Sequence, residues 1–125
     1  MIVGTGIDIV ENSRIDNLIK KYGDKFLNRI YLKSEIKYCS SRKKSTASFA
    51  ARFAAKEALF KALGTGKRKN SWHDVEIINN KLGKPEVFLK DSTAAEAENL
   101  EVKNIFLSIS HEKKFSVAHI ILEGE

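Results

Sequence analysis

The sequence predicts an α+β fold in which a long central helix packs on a small, mainly antiparallel sheet. Three patterns predict it: a β-branched run opens the chain, an alanine-rich stretch fills the middle, and apolar runs separated by turn residues follow. The chain has 125 residues, of which 42% are hydrophobic. That length and composition fit one domain, which we expect to span residues 1–125.

The N-terminal part predicts one strand and three short helices. Residues Ile2–Val10 are mostly apolar and β-branched, which indicates a buried strand. A polar pair at 12–13 can cap the first helix, which we expect to end at Gly23. Asp24 can cap the second helix, and residues 32–38 predict the third.

The middle of the chain predicts one long helix, Ser45–Leu63. It contains seven alanines, and alanine is the best helix former. Phe49, Phe53 and Phe60 fall on one stripe, which predicts a face directed to the core. Gly64 follows in the position of a left-handed C-cap.

The remaining third predicts two hairpins around a helix. Residues 75–78 and 87–89 predict two strands joined by a long connection. An Ala/Glu-rich segment, 94–100, predicts a helix. Residues 105–110 and 115–122 predict the second hairpin.

Charge is concentrated in the middle of the chain. Between Lys33 and Lys69 there are eleven basic residues and only two acids, Glu35 and Glu57. Such a window suggests a polyanionic partner: a nucleic acid, a phosphorylated cofactor or an acidic protein. A solvated, lysine-rich surface explains the charge equally well.

Several classes of protein are excluded or disfavoured. With Cys39 as its only cysteine, the chain can form neither an intrachain disulfide nor a cysteine-based zinc site, which indicates a reduced, cytoplasmic compartment. The apolar runs are far shorter than the roughly 20 residues that span a bilayer, so we expect no membrane segment. The N-terminus lacks the basic region of a secretory signal.

Two carboxylates stand in apolar surroundings. Asp8 lies inside the apolar run of the first strand, where an unpaired charge is costly. Glu57 lies beside the phenylalanine stripe, one turn before Lys61. The two carboxylates could hold Mg²⁺, with Lys61 contacting a phosphate. The alternative is an ordinary i,i+4 pair between Glu57 and Lys61.

Other polar residues give weaker signals. Ser110 and His111 end a predicted strand, where polar residues commonly mark a hairpin turn. His119 shares a face with Val117 and Ile121, and we expect a core histidine. We expect Cys39 to be an incidental surface cysteine.

Four segments together resemble a known family. They are Gly6–Glu11 followed by Arg14-Ile15, Arg52–Gly66, Asn80–Pro85 and Ser108–His111. In order and spacing they resemble the motifs of the short, bacterial 4′-phosphopantetheinyl transferases, over nearly the whole chain. The resemblance implies that the chain has the fold of that family.

The resemblance implies an enzyme that moves the 4′-phosphopantetheine arm of coenzyme A onto a serine of apo acyl carrier protein, for fatty acid biosynthesis. The other product would be adenosine 3′,5′-bisphosphate. It further implies that Asp8 and Glu57 are ligands of Mg²⁺ and that Lys61 contacts the leaving phosphate. Glu57 is also the candidate base for the serine proton.

The resemblance also assigns binding residues. Those matching the family's coenzyme A site are Arg52, Lys61, Gly64, Thr65, Gly66, Ser110 and His111. Arg14 matches the position that meets the acidic carrier protein, and by charge alone the lysines 20, 21 and 25 could extend that surface. A homotrimer with active sites at subunit interfaces is implied too, while the sequence leaves open whether Asp8 and Glu57 of one site share a chain.

Two other functions would account for part of the sequence. A nucleic-acid-binding domain would explain the basic window, but the strands lack aromatic residues interleaved with basic ones. A purely structural trimer has no use for Asp8 and Glu57. We therefore expect neither a nucleic-acid nor a membrane partner.

Overall fold

The computed structural model describes residues 1–64 and 70–125, and it confirms the α+β class with a long helix on a small antiparallel sheet. The elements, in order, are β1 (Ile2–Glu11), α1 (Asn12–Tyr22), α2 (Asp24–Ile30), α3 (Lys33–Ser40), α4 (Ser45–Leu63), a 3₁₀ turn (Trp72–Asp74), β2 (Val75–Asn79), β3 (Pro85–Leu89), α5 (Asp91–Asn99), β4 (Asn104–His111) and β5 (Phe115–Glu123).

The strands form two antiparallel groups. One is a three-stranded sheet in the order β1–β5–β4, in which β5 pairs with both neighbours. The other is the β2–β3 hairpin. Helix α4 packs against the three-stranded sheet and carries most of the buried aromatic and alanine side chains of the core. It has the predicted bounds.

Two glycines allow β1 to lie directly on α4. A Cβ atom at Gly6 would collide with the carbonyl of Ala58 and come within 2.7 Å of the Ala62 nitrogen. One at Gly4 would collide with the carbonyl of Ala62. Glycines two apart on the strand therefore meet alanines four apart on the helix, because each pair lies on one face of its element. Asp8 is the next residue on that face of β1.

The outer face of the sheet is exposed and carries apolar side chains among polar ones, which corrects two expectations. We expected β1 to be buried, but α4 covers one face only, and Ile7 and Ile9 are 59% and 63% exposed. His119 does lie between Val117 and Ile121, yet on the outer face, so the expectation of a core histidine is wrong. Alternation shows which residues share a face but not which face is covered.

Helix α3 extends two residues beyond its predicted end and buries Cys39 completely. The expectation of a surface cysteine is therefore wrong. The hydroxyl of Ser48 donates to the Cys39 sulfur across 3.4 Å. Within the ranges 1–64 and 70–125, the helices are too short or too polar to cross a membrane.

Candidate active site

Asp8 and Lys61 meet at the junction of β1 and α4. The Lys61 Nζ atom lies 2.9 Å from Asp8 Oδ1 and donates to the Ile7 carbonyl at 3.0 Å. The Asp8 side chain is 17% exposed and that of Lys61 is 53% exposed. The close approach of β1 to α4 at the glycines brings the two charges together.

Glu57 stands on the same flank of the helix. It is half-buried and precedes Lys61 by one turn, so the two side chains leave α4 on the same side. Since Lys61 contacts Asp8, the structure gathers the three predicted catalytic residues on one flank of α4.

The chemistry of these donors fits Mg²⁺. Among the described residues there is no cluster of three or more His, Cys, Asp or Glu side chains suited to a metal. Asp8 and Glu57 offer oxygen atoms only, and leave most ligand positions to water and substrate oxygens. That is how Mg²⁺ is usually held, whereas zinc favours nitrogen and sulfur ligands. A cation bound there would share the Asp8 carboxylate with Lys61.

A second cluster surrounds Arg52. This residue is 4% exposed, its Nη2 donates to Asn79 Oδ1, and its guanidinium carbon lies 4.4 Å from the centroid of the Tyr38 ring. Its Nε atom is buried and has no hydrogen-bond partner within the described part of the chain. Leaving such a charged donor unpaired is costly, so a further bonding partner is expected at this site.

Arg52 and His111 line one cavity of about 450 Å³. Its basic wall consists of Arg42, Lys43, Lys44 and Arg52. Such a wall attracts an anion of several charges. The sequence interpretation gave the 42–44 loop no role, although its run of three basic residues was the available signal.

The two clusters leave α4 in opposite directions. Arg52 and Lys61 are nine residues apart, which corresponds to about 180° around a helix and about 14 Å along it. Glu57 is about 140° from Arg52. The helix therefore stands between the two clusters of a single chain and blocks a ligand from touching both directly.

Arg14 lies at a third place, on the exposed face of α1. Its guanidinium carbon is 5.6 Å from the centroid of the Phe53 ring, and it shares a groove of about 490 Å³ with Lys25 and Arg29. Lys21 lines a neighbouring cavity with Arg14. Lys20 lines neither and pairs with Asp16 at 2.8 Å.

The remaining candidates are placed differently. Gly64 has φ of 84° and is the predicted left-handed cap of α4. Ser110 pairs with Val117 and lies on the outer face of β4, so it does not line the cavity that His111 lines. Thr65 and Gly66 lie outside the described residues.

The structure contains a buried ion pair that the sequence did not indicate. Lys56 Nζ lies 2.7 Å from Glu35 Oε1, and both side chains are fully buried. Nζ also donates to the carbonyls of Ile30 and Trp72, while Glu35 Oε2 accepts from the Ile77 amide. Burial lowers the pKa of Lys56 from its ordinary value, and the Glu35 charge opposes that shift.

Comparison with known proteins identifies the family. The model of the 4′-phosphopantetheinyl transferase superfamily matches residues 4–118. A holo-[acyl-carrier-protein] synthase of Solibacter usitatus (strain Ellin6076) is 50% identical over 125 residues, which cover 99% of this chain and 100% of the relative.

Solved structures agree. A holo-[acyl-carrier-protein] synthase from Neisseria meningitidis matches with a TM-score of 0.91 and 38% identity, covering 98% of this chain and 99% of the other. One from Bacillus anthracis str. Ames, in complex with CoA (3′,5′-ADP), matches with a TM-score of 0.82 and 40% identity, covering 100% and 99%. The chain therefore belongs to the 4′-phosphopantetheinyl transferase superfamily, and within it to the holo-[acyl-carrier-protein] synthases, which are enzymes.

Proposed function

We propose that this chain transfers the 4′-phosphopantetheine arm of coenzyme A to a serine hydroxyl of apo acyl carrier protein, releasing adenosine 3′,5′-bisphosphate. The pairing of Lys61 with Asp8, one helical turn from Glu57, carries the proposal, since it gathers one cation and two carboxylates on one flank of α4. The coenzyme bound to the Bacillus anthracis relative supports it. Fatty acid biosynthesis and a cytoplasmic location belong to the same proposal.

Each residue of the Asp8 cluster has a role in this reaction. Asp8 and Glu57 would hold Mg²⁺, which when bound would neutralise charge on the pyrophosphate. The serine oxygen forms a bond to the phosphorus that carries pantetheine, and the bond between the two phosphates breaks. Glu57 accepts the serine proton, directly or through a water molecule. Lys61 donates to the leaving phosphate.

The Arg52 cavity receives the nucleotide part of coenzyme A. The buried Nε donor of Arg52 and the basic wall of the cavity support this assignment. His111 adds a donor to the same cavity. Gly64, Thr65, Gly66 and Ser110 are assigned to this substrate by their match to the family's motifs alone.

We propose that the enzyme is a homotrimer whose active sites lie between subunits. Two observations support it: the outer face of the sheet exposes apolar side chains, and the Asp8 and Arg52 clusters lie on opposite flanks of α4. In a trimer, the Asp8 cluster of one chain can face the Arg52 cavity of the next. Both magnesium ligands of a site then belong to the same chain.

Two experiments test the trimer. The substitution Ile7→Lys on the outer face should give monomers in analytical ultracentrifugation, whereas Leu100→Lys, at an exposed apolar residue after α5, should not. Mixing inactive Asp8→Ala and Arg52→Ala chains under conditions of subunit exchange should restore activity. If the mixture stays inactive, the proposal that each active site is shared between chains is wrong.

We propose that Arg14 docks the carrier protein. Lys25 and Arg29 beside it make the groove basic, which suits an acidic partner. Because these charges are exposed, the KM for the carrier should rise with added salt. A KM independent of salt would contradict this surface.

The transfer itself is tested by mass spectrometry. The chain is incubated with coenzyme A, Mg²⁺ and apo acyl carrier protein, and the carrier should gain the mass of the phosphopantetheine arm. Omitting Mg²⁺ and adding a chelator should abolish the gain. A carrier of unchanged mass with all components present would overturn the proposed function.

A further inference from the structure

Trp72, the only tryptophan of the chain, connects the core to the Arg14 surface. Its ring stacks on that of Phe53, with centroids 5.2 Å apart and planes at 26°. It also meets Phe60 edge-on, with centroids 5.6 Å apart. Since the Arg14 guanidinium lies over the Phe53 ring, the three side chains form the continuous series Trp72–Phe53–Arg14.

The backbone around Trp72 is held on several sides. The Trp72 carbonyl accepts a hydrogen bond from Lys56 at 3.1 Å, which ties it to the buried ion pair. The next side chain, His73, bonds to the Asn28 carbonyl at 2.7 Å. Asp74 accepts from two hydroxyls at the start of α5. The 3₁₀ turn therefore presents the indole in a fixed orientation.

Phe53 contacts both Trp72 and Arg14. It is 6% exposed and lines the groove together with Arg14 and Trp72. Shortening the indole would open space beside its ring, and the ring could then tilt away from the guanidinium. An arginine on an exposed helix otherwise samples many rotamers, whose loss on binding costs affinity.

We propose that Trp72 is a positioning residue for the carrier protein: it fixes the Phe53 ring, which in turn holds Arg14 in its docking orientation. The proposal rests on the proposed function, because it assumes that Arg14 docks the carrier. Trp72 itself need not touch the carrier. Its effect is confined to recognition of that substrate and leaves recognition of coenzyme A unchanged.

The first test compares Trp72→Leu with Trp72→Phe. In Trp72→Leu, the KM for the carrier should rise about three- to tenfold, the range expected for a lost cation–π arrangement. The kcat and the KM for coenzyme A should stay unchanged. Trp72→Phe keeps an aromatic ring and should restore most of the affinity. A fall in kcat at saturating carrier, with an unchanged carrier KM, would overturn the proposal.

The second test is a double-mutant cycle. If Trp72 acts through Arg14, Arg14→Ala and Arg14→Ala/Trp72→Leu should have the same KM for the carrier. Independent, additive effects would overturn the proposal. Val87→Ala, a packing defect on β3, serves as a control for lost stability and should leave the carrier KM unchanged.

The outcomes separate this proposal from the proposed function. If Arg14→Ala alone leaves the carrier KM unchanged, the docking role of Arg14 is wrong and Trp72 has nothing to position. If Arg14→Ala raises that KM but Trp72→Leu does not, the docking role stands and only the positioning role is wrong.

Discussion

Two lysines of helix α4 each pair with a carboxylate of another element, and the two pairs have similar distances but different surroundings. Lys56 and Glu35 are 2.7 Å apart with both side chains fully buried. Lys61 and Asp8 are 2.9 Å apart with side chains 53% and 17% exposed. Pairs of nearly equal length, five residues apart on one helix, therefore occupy opposite kinds of environment.

The difference shows in what remains to be bonded. An ammonium has three N–H donors, and those of Lys56 find Glu35 and the carbonyls of Ile30 and Trp72. Lys61 donates to two acceptors within the described residues, which leaves one N–H for a substrate oxygen. The buried pair is saturated and serves the fold, whereas the exposed pair can still accept a ligand.

The largest effect is expected from breaking the buried pair. Glu35→Ala leaves the Lys56 charge buried without its partner, which should lower the free energy of unfolding by about 3–5 kcal/mol. Asp8→Ala breaks the exposed pair and should cost under about 1 kcal/mol. Urea unfolding followed by circular dichroism measures both. Equal losses would mean that the two pairs do not differ as described.

For activity, unlike stability, the larger loss is expected from the active-site carboxylates. Asp8→Ala and Glu57→Ala should each lower kcat by about 100-fold or more with the fold intact, because each removes a carboxylate proposed to hold the Mg²⁺ that would neutralise charge on the reacting phosphate. Asp16→Ala is the matched control: its carboxylate also pairs with a lysine, Lys20, but on the surface of α1. Full activity in either active-site variant would contradict the magnesium assignment.

The sequence indicated the exposed pair better than the buried one. Asp8 stood out because a carboxylate inside an apolar strand needs a reason, and Glu57 because it adjoins an aromatic stripe. Lys56 looked like one more member of a basic window. Its partners are a carboxylate 21 positions away and two backbone carbonyls. No local sequence pattern predicts such contacts.

The same limit explains the errors on exposure. The helical period gave α4 its correct bounds, and strand alternation correctly grouped His119 with Val117 and Ile121. Which face of the sheet α4 covers depends on the glycine–alanine contact between β1 and α4, which is tertiary. Cys39 sits in a polar segment, yet α3 turns it inward.

Replacing both partners of a pair separates the loss of charge balance from the loss of one charged group. Glu35→Leu with Lys56→Met removes both buried charges and should recover most of the stability that Glu35→Ala loses. Asp8→Ala with Lys61→Ala should recover no activity, since the proposed metal ligand and the proposed phosphate donor are both lost. Unfolding free energies and kcat decide the two cases. A double core variant as unstable as Glu35→Ala would show that the hydrogen bonds, and not charge balance, hold this region.

The smallest effect concerns the Cys39 thiol, another titratable group in the buried region. Burial raises the pKa of the Cys39 thiol above its ordinary value, although the Arg52 charge and the hydrogen bond from Ser48 oppose that shift. In the unfolded chain the thiol loses its proton near pH about 9, so above that pH the folded state binds more protons and its stability falls as pH rises. Cys39→Ala lacks this contribution. The wild type should therefore lose stability relative to the variant as pH rises above about 9, and a difference that stays constant would mean that burial does not hold the thiol protonated.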